Sequence, residues 1–424
     1  MNSAAKALRK RVPRADLCAW DDTLRSEEPL AAIRREEASR IPALLSIRHQ
    51  RMRHDPFGFL RGAAAVAASD FGALRVTGLR AQLCGDAHVL NFGTFATPER
   101  NLVFDLVDFD ETLPGAWEWD MLRLCSSLVV FAASVGIRSD RGEDAVVAAA
   151  NAYREAMLAY ALLEPLEIWY DRIEVDARIA GEMKMQDSAA ALVPVLENPD
   201  RRPPRFANRP PLFRRLSHAD ERVELAHGIL RSYRASLPDH VRVLFDRYHS
   251  VDMALKVVGV GSVGTLCLVV LLLAESDRPL LLQIKEAQRS MLERVVGLSR
   301  FAHHGERVVV GQRLMQAASD LFLGWSNDGD RDFYVRQLHD MKGSLDTSGL
   351  RASTLVRYAR LCGRTLARAH ARSGEPRAIG GYLGNSTEFE EAMLRFALAY
   401  GVRCERDYSS FVAACARGEF ALEE

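Results

Sequence analysis

The sequence predicts an α+β protein of two lobes, in which a small antiparallel β lobe interrupts a large helical one. Three observations carry this. Residues 251–287 hold three apolar runs, VDMALKVV, TLCLVVLLLA and LLLQIKEA, separated by a glycine turn and by ESDRP, the pattern of a β-meander. Residues 79–110 break into short apolar runs punctuated by Gly, Asn and Asp, as strands and tight loops do. Most of the rest has helical texture: 27–47, 57–71, 117–135, 143–163, 353–372 and 388–416 space apolar residues every three or four positions. Segments 289–321 and 164–197 are also expected to be helical, the former in two pieces, and 333–338 to be a strand. The expected organisation is a helical extension (1–78), a first large-lobe part with the chemistry-bearing loops (79–247), the small β-rich lobe (248–345) and the remaining large-lobe helices (346–424).

Composition narrows the function classes. The chain has 424 residues, 48% hydrophobic and 26% charged, enough for two cores. Lys+Arg and Asp+Glu both total 56, so no global charge draws it to nucleic acid or to an anionic membrane. Its seven cysteines are scattered without a C-x-x-C pair, which suits reduced thiols in a cytoplasmic protein rather than a zinc cage or disulfide framework. The first twenty residues are basic but lack the apolar core of a secretory signal. Residues 257–274 carry no charge, yet their continuous apolar part is less than half of the ~20 residues a membrane span needs. A buried strand fits better.

The sharpest chemical signal is LCGDAHVLNFG, residues 83–93, followed by LVFDLVDFDET, residues 102–112. Asp86 lies five positions before Asn91, and Asp108 ends an apolar strand-like run. Phosphoryl transfer needs a carboxylate at the acceptor hydroxyl and hard oxygen ligands for Mg²⁺ at the phosphates; D-x-x-x-x-N with a second Asp downstream can supply both. An acidic cation-binding loop without catalysis competes with this reading. A two-metal phosphoesterase also shares GD-x-H, but it needs further ligands, and no Gly-Asn-His occurs in the chain. The fuller form GD-x-H-x-x-N with VDFDE resembles the aminoglycoside-phosphotransferase and choline-kinase branch of the protein-kinase superfamily. That resemblance implies Asp86 as catalytic base, His88 as a residue shaping the loop, and Asn91 and Asp108 as metal ligands. Cys84 stands where that branch usually has His.

VVGVGSVGT (257–265) is a G-x-G-x-x-G of Gly259, Gly261 and Gly264, with Ser262 between them. A dinucleotide site would require a helix next, but a strand-like run follows, so the glycines sit in a hairpin like the one that covers ATP phosphates in kinases. Lys285, ending the third strand, matches the kinase lysine on the α- and β-phosphates. In kinases a carboxylate on the next helix holds that lysine; Glu293, Glu306 and Glu286 are available here, and Glu306, on the longer helical stretch, is the expected partner. FYVRQLHDMKG (333–343) then reads as the strand and hinge facing adenine. The catalytic loop precedes the lysine, the reverse of ordinary kinase order, as a circular permutation would give.

Other residues have weaker signals. The resemblance to kinase-like folds implies Asp120, at the start of a helix, as a brace behind the catalytic loop, compatible with an N-cap role, with Arg123 one turn on. RMRHDPFGFLRGAA (51–64) concentrates basic and aromatic residues as a cap over the site or as an ordinary helix start. His370 reads as structural. Residues 198–215, with six Arg, five Pro and one Asp, cannot form a regular element and read as a linker or a basic flap.

Together RMRHDPFGFLRGA, LCGDAHVLNFGTF, FDLVDFDETLPGAWEWDMLRL, LLLQIKEA, GQRLMQAASDLFLGW, FYVRQLHDMKGS and LARAHARSG resemble the bacterial domain-of-unknown-function 2252 family, from about residue 51 onward. The expected activity is ATP- and Mg²⁺-dependent phosphoryl transfer to a small-molecule acceptor. Nucleotidyl transfer and a non-catalytic nucleotide-binding scaffold are the alternatives.

Overall fold

The computed structural model describes residues 3–185, 205–275, 279–338 and 342–422. The protein is α+β with antiparallel sheets. Its strands, in chain order, are β1 (Arg80–Leu83), β2 (Phe92–Ala96), β3 (Leu102–Leu106), β4 (Leu113–Ala116), β5 (Ile173–Glu174), β6 (Met183–Met185), β7 (Phe213–Arg215), β8 (His249–Lys256), β9 (Cys267–Leu273), β10 (Pro279–Ala287), β11 (Gly324–Asp328), β12 (Arg331–Gln337) and β13 (Gly343–Leu345). They form a six-stranded sheet ordered β11-β12-β10-β9-β8-β7, a five-stranded sheet β5-β3-β2-β13-β6, and the pair β1-β4.

The meander expected from the apolar runs is β8, β9 and β10. β9 is buried along its whole length because both faces of the six-stranded sheet are covered. Leu268, Val270, Leu282 and Ile284 pack against the helices Glu221–Tyr233 and Asp239–Phe245 through Ile229, Tyr233 and Val241. Val269, Leu271 and Leu281 face the other way, with Phe206. Side chains alternate along a strand. Ile284 points to the helices, so Gln283 and Lys285 point to the opposite face, where a cavity lies. The sheet reaches back to β7, inside the Arg/Pro segment that was expected to be irregular, and residues 206–245 pack against this sheet although the sequence grouped them with 79–247.

The large core lies under the helices Glu118–Ser134, Ser139–Tyr160, Ala352–Ser373 and Glu388–Ala416. Trp117, fully buried, stacks on Tyr153 at 5.3 Å. The last of these helices has the bounds the sequence suggested. Residues 289–321 do not: the first piece shrinks to Glu293–Val296, ended by Gly297 at φ +90°, and the second is His304–Met315. The described part of 164–197 mixes the short helices Pro165–Tyr170 and Ala177–Glu182 with β5 and β6. Residues 198–204 of the Arg/Pro segment and 339–341 of the expected hinge lie outside the described residues.

The N-terminal part contributes the helices Pro29–Glu37, Leu45–Arg53, Pro56–Gly62 and Ala64–Gly72. Arg25, just before them, donates to Asp70 at 2.9 Å and to both oxygens of Asp407 at 2.7 and 2.9 Å. Tyr400 completes this buried cluster through its hydroxyl on Asp70 at 2.7 Å. Residues 257–274 are a glycine loop running into β9. Among the described residues no helix is long and apolar enough to cross a membrane.

Candidate functional site

The loop after β1 is built by main-chain capture. Asp120, in the first turn of the helix Glu118–Ser134, accepts from the backbone N–H of Cys84 at 2.7 Å and of Gly85 at 3.0 Å. His370 approaches the same carboxylate at 3.3 Å and meets Tyr153 through its other nitrogen at 2.9 Å. Gly85, at φ +90°, turns the chain so tightly that a Cβ would stand 2.4 Å from the Glu111 carbonyl. Asp86 is thereby thrown forward. Its Oδ1 accepts from Arg123 Nε at 2.7 Å, and Oδ2 lies 3.9 Å from His88 Nε2. Burial alone would raise the Asp86 pKa, but Arg123, with help from His88 and Arg61, holds it below the usual carboxylate value. Burial pushes the His88 pKa down to about 3.

Asn91 Nδ2 donates to the Asp86 carbonyl at 2.8 Å and to the Asp108 carbonyl at 3.4 Å, tying the two acidic loops together. Cys84, in place of the expected His, gives its thiol to the Asp108 carbonyl at 3.1 Å. Asp108 Oδ1 is buried without a hydrogen-bond partner. Lys285 Nζ stands 3.6 Å from that oxygen and 2.6 Å from Asp110 Oδ2. Asp110 also accepts from Tyr334 at 2.6 Å and from Ser262 at 2.9 Å. Burial would lower the Lys285 pKa, but Asp108 and Asp110 outweigh it and hold the amine well above the usual lysine value.

Asp86, His88, Asn91, Asp108, Gly259, Gly261, Ser262 and Lys285 all line one cavity of about 390 Å³. Two expected site residues do not. Gly264 turns away: at φ +98° its carbonyl accepts from Ile41 N–H at 2.7 Å, and a Cβ would meet the Arg40 side chain at 2.9 Å. Its glycine is needed for packing. Glu306 sits in the first turn of the helix His304–Met315, away from the cavity, and Lys285 is held by Asp110 and Asp108 instead. The neighbouring Arg307 is what that helix contributes, donating to the carbonyls of Asp110 at 2.9 Å and Thr112 at 2.7 Å.

The glycine loop is braced from behind by three arginines. Arg48, fully buried, donates to the carbonyls of Gly261 at 3.0 Å and Val260 at 3.3 Å, and to Glu36 and Glu37. Arg40 donates to the Val263 carbonyl and Arg51 to that of Gly259. With these carbonyls engaged by arginines, the donors the loop can offer a ligand are its peptide N–H groups.

Among the described residues no three His, Cys, Asp or Glu side chains are grouped to hold a metal ion on their own. A cation that brings its own phosphate oxygens needs only one or two protein carboxylates. The orphaned Asp108 Oδ1 and the Asn91 amide oxygen fit that demand.

A family described as "uncharacterized protein conserved in bacteria (DUF2252)" matches residues 40–414. The chain belongs to this family. No curated protein and no solved structure matches it. The DUF2252 match begins at Arg40, the first of the three braces, and includes every expected site residue described above; Arg25 and the helix Pro29–Glu37, with Glu36 of the cavity wall, precede it.

Four residues of this DUF2252 site escaped the sequence reading or were left without a role in it. Asp110 is two positions from Asp108 with buried Phe109 between them, an i, i+2 pair that a loop can aim at one cation. Arg123 is one helical turn from Asp120, so both face the loop. Arg61 and Arg336 line the cavity from the basic segment 51–64 and the strand before the expected hinge, segments marked in the sequence without either arginine being given a role.

Proposed function

We propose that this chain is a kinase-like phosphotransferase with permuted lobe order, using ATP and Mg²⁺ to phosphorylate a small hydroxyl-bearing acceptor. The supporting observation is convergence: Asp86 and Lys285, 199 positions apart in the chain, line the same cavity, with Asn91, Asp108 and the glycine hairpin around them. Oδ1 of Asp86 is engaged by Arg123, so Oδ2 is the oxygen that orients the acceptor hydroxyl and takes its proton. Lys285 exchanges Asp110 and Asp108 for phosphate oxygens, and the hairpin N–H groups cover them. Asn91 and Asp108 would hold Mg²⁺, which supplies charge neutralisation at the phosphates. The remaining contribution is positioning and fixed electrostatics. Seven cysteines, all free and buried, support a cytoplasmic setting.

The test is purified protein with Mg-ATP and candidate acceptors, followed by product mass. A product heavier by one phosphoryl group is expected, and one heavier by AMP reassigns the chemistry to nucleotidyl transfer. Mg-ATP at about 100 times its dissociation constant should stabilise the fold by roughly 2.7 kcal/mol. Absence of any thermal shift at millimolar Mg-ATP removes the reading.

A further inference from the structure

A second cavity, of about 890 Å³, adjoins the first and shares Arg61, Leu90, Val257, Gly259 and Val260 with it. Its size suits a small-molecule ligand. The wall comes from the segment RMRHDPFGFLR, which folds back on itself because two glycines allow it. A Cβ at Gly58 would stand 2.5 Å from the Arg51 carbonyl, and one at Gly62 would stand 2.4 Å from the Met52 side chain. The helices Leu45–Arg53 and Pro56–Gly62 therefore press together, and Arg51, Arg53, His54 and Arg61 ring one space. Asp55 is the single acidic residue there. Its carboxylate is spent on the Gly58 N–H at 2.6 Å and on His54 at 2.7 Å. Three arginines against one aspartate leave the cavity positive.

Arg61 occupies the junction. Its Nε is buried without a hydrogen-bond partner, and its guanidinium lies 5.9 Å over the Phe57 ring. A buried guanidinium N–H with nothing to donate to is costly, and an anion is its natural complement. Phe57, Leu90, Phe131 and Val135 offer apolar walls for a carbon skeleton.

We propose that the acceptor is a small hydroxy compound bearing a carboxylate or phosphate group, seated in this basic cavity with its hydroxyl directed past Arg61 to Asp86. This rests on the phosphotransferase reading and names its substrate class. In the step, the acceptor oxygen bonds to the transferred phosphorus, the bond from that phosphorus to ADP breaks, ADP leaves with the electron pair, and Asp86 takes the hydroxyl proton.

The experiment fills the nucleotide cavity with Mg-AMP-PNP and titrates the filled protein calorimetrically with glycerate, glycerol 3-phosphate, glycerol and choline. Saturable binding of at least one anion is expected, with none for glycerol or choline. Glycerate alone would assign a carboxylate, glycerol 3-phosphate alone a phosphate. The doubly substituted Arg53→Gln/His54→Gln protein, altered only at exposed positions, should weaken that binding at least tenfold, as should Arg61→Gln. Binding of neither anion, preference for choline, or anion binding indifferent to these substitutions overturns the assignment of acceptor class. Failure of Mg-AMP-PNP itself to bind removes the phosphotransferase reading, and the acceptor with it.

Discussion

Asp86 has its two oxygens in different employment, one bound to Arg123 and one facing the cavity, so removing its charge should separate chemistry from binding. Asp86→Asn is expected to lower turnover by about 10²–10⁴-fold, the range for loss of a positioned acid–base group. The thermal shift with Mg-ATP should remain, because Lys285 and Asp108 are untouched. Unchanged turnover in this variant would sink the role given to Asp86. Glu118 offers a pH test. It is fully buried, accepts from the Thr77 N–H at 2.7 Å, and burial pushes its pKa up to about 7. The folded carboxyl keeps its proton up to about pH 7, whereas an unfolded one loses it near 4.5. This contribution to stability is therefore complete below pH 4.5 and lost as pH rises to 7, by on the order of 3 kcal/mol. Glu118→Gln should gain stability relative to wild type across that window and then level off, read as the difference in denaturation midpoints. A constant difference from pH 4.5 to 8 would contradict it. At this scale Asp86, Asn91 and Asp108 were legible because their spacing is local. Glu306 was chosen wrongly because the sequence shows which helix follows Lys285 but not which way its carboxylates face.

Between residue and molecule stands the glycine hairpin, whose shape depends on arginines drawn from another segment. Arg48 links Val260, Gly261, Gly62, Glu36 and Glu37 in a space without solvent. Arg48→Met leaves buried carboxylates undercompensated and frees the hairpin, so a loss of about 3–5 kcal/mol is expected. Mg-ATP affinity should fall with it. Full affinity in a folded Arg48→Met protein would show that the hairpin needs no brace. The meander β8–β10 could be read from the sequence because its apolar runs and its turns are written within forty residues. The brace could not, since Arg48 lies in a helix of ordinary texture and meets its carbonyl partner at a sequence separation of 212. Gly264 illustrates the same gap. It belongs to a glycine pattern by spacing, yet the contact that requires a glycine there is with Arg40.

The molecule as a whole is held by a polar tie between distant segments. Arg25 is buried between Asp70 and Asp407, and Arg403 also reaches Asp407 at 3.1 Å. Arg25→Leu removes the shared cation and leaves the Asp70 and Asp407 carboxylates undercompensated, for an expected loss of about 3–5 kcal/mol. The loss should appear in a single unfolding transition, since the cluster joins the N-terminal helices to the core helix Glu388–Ala416. A separate early transition for the N-terminal part would contradict that coupling. The α+β class was legible from texture alone. The boundary near residue 247 was not, because residues 220–245 are as helical as the segments around the large core, and only the partner sheet shows where they belong.

The Arg25 tie also bears on how the chain is made. Its cation and the Asp407 carboxylate are separated by 382 positions, so ribosomes synthesise one long before the other. A nascent polypeptide halted short of Glu388 would carry an arginine with half its anionic neighbours missing and N-terminal helices without their contacts to the last helix. The arginine-braced hairpin draws its braces from those helices, so its final packing is expected only after translation has passed that helix.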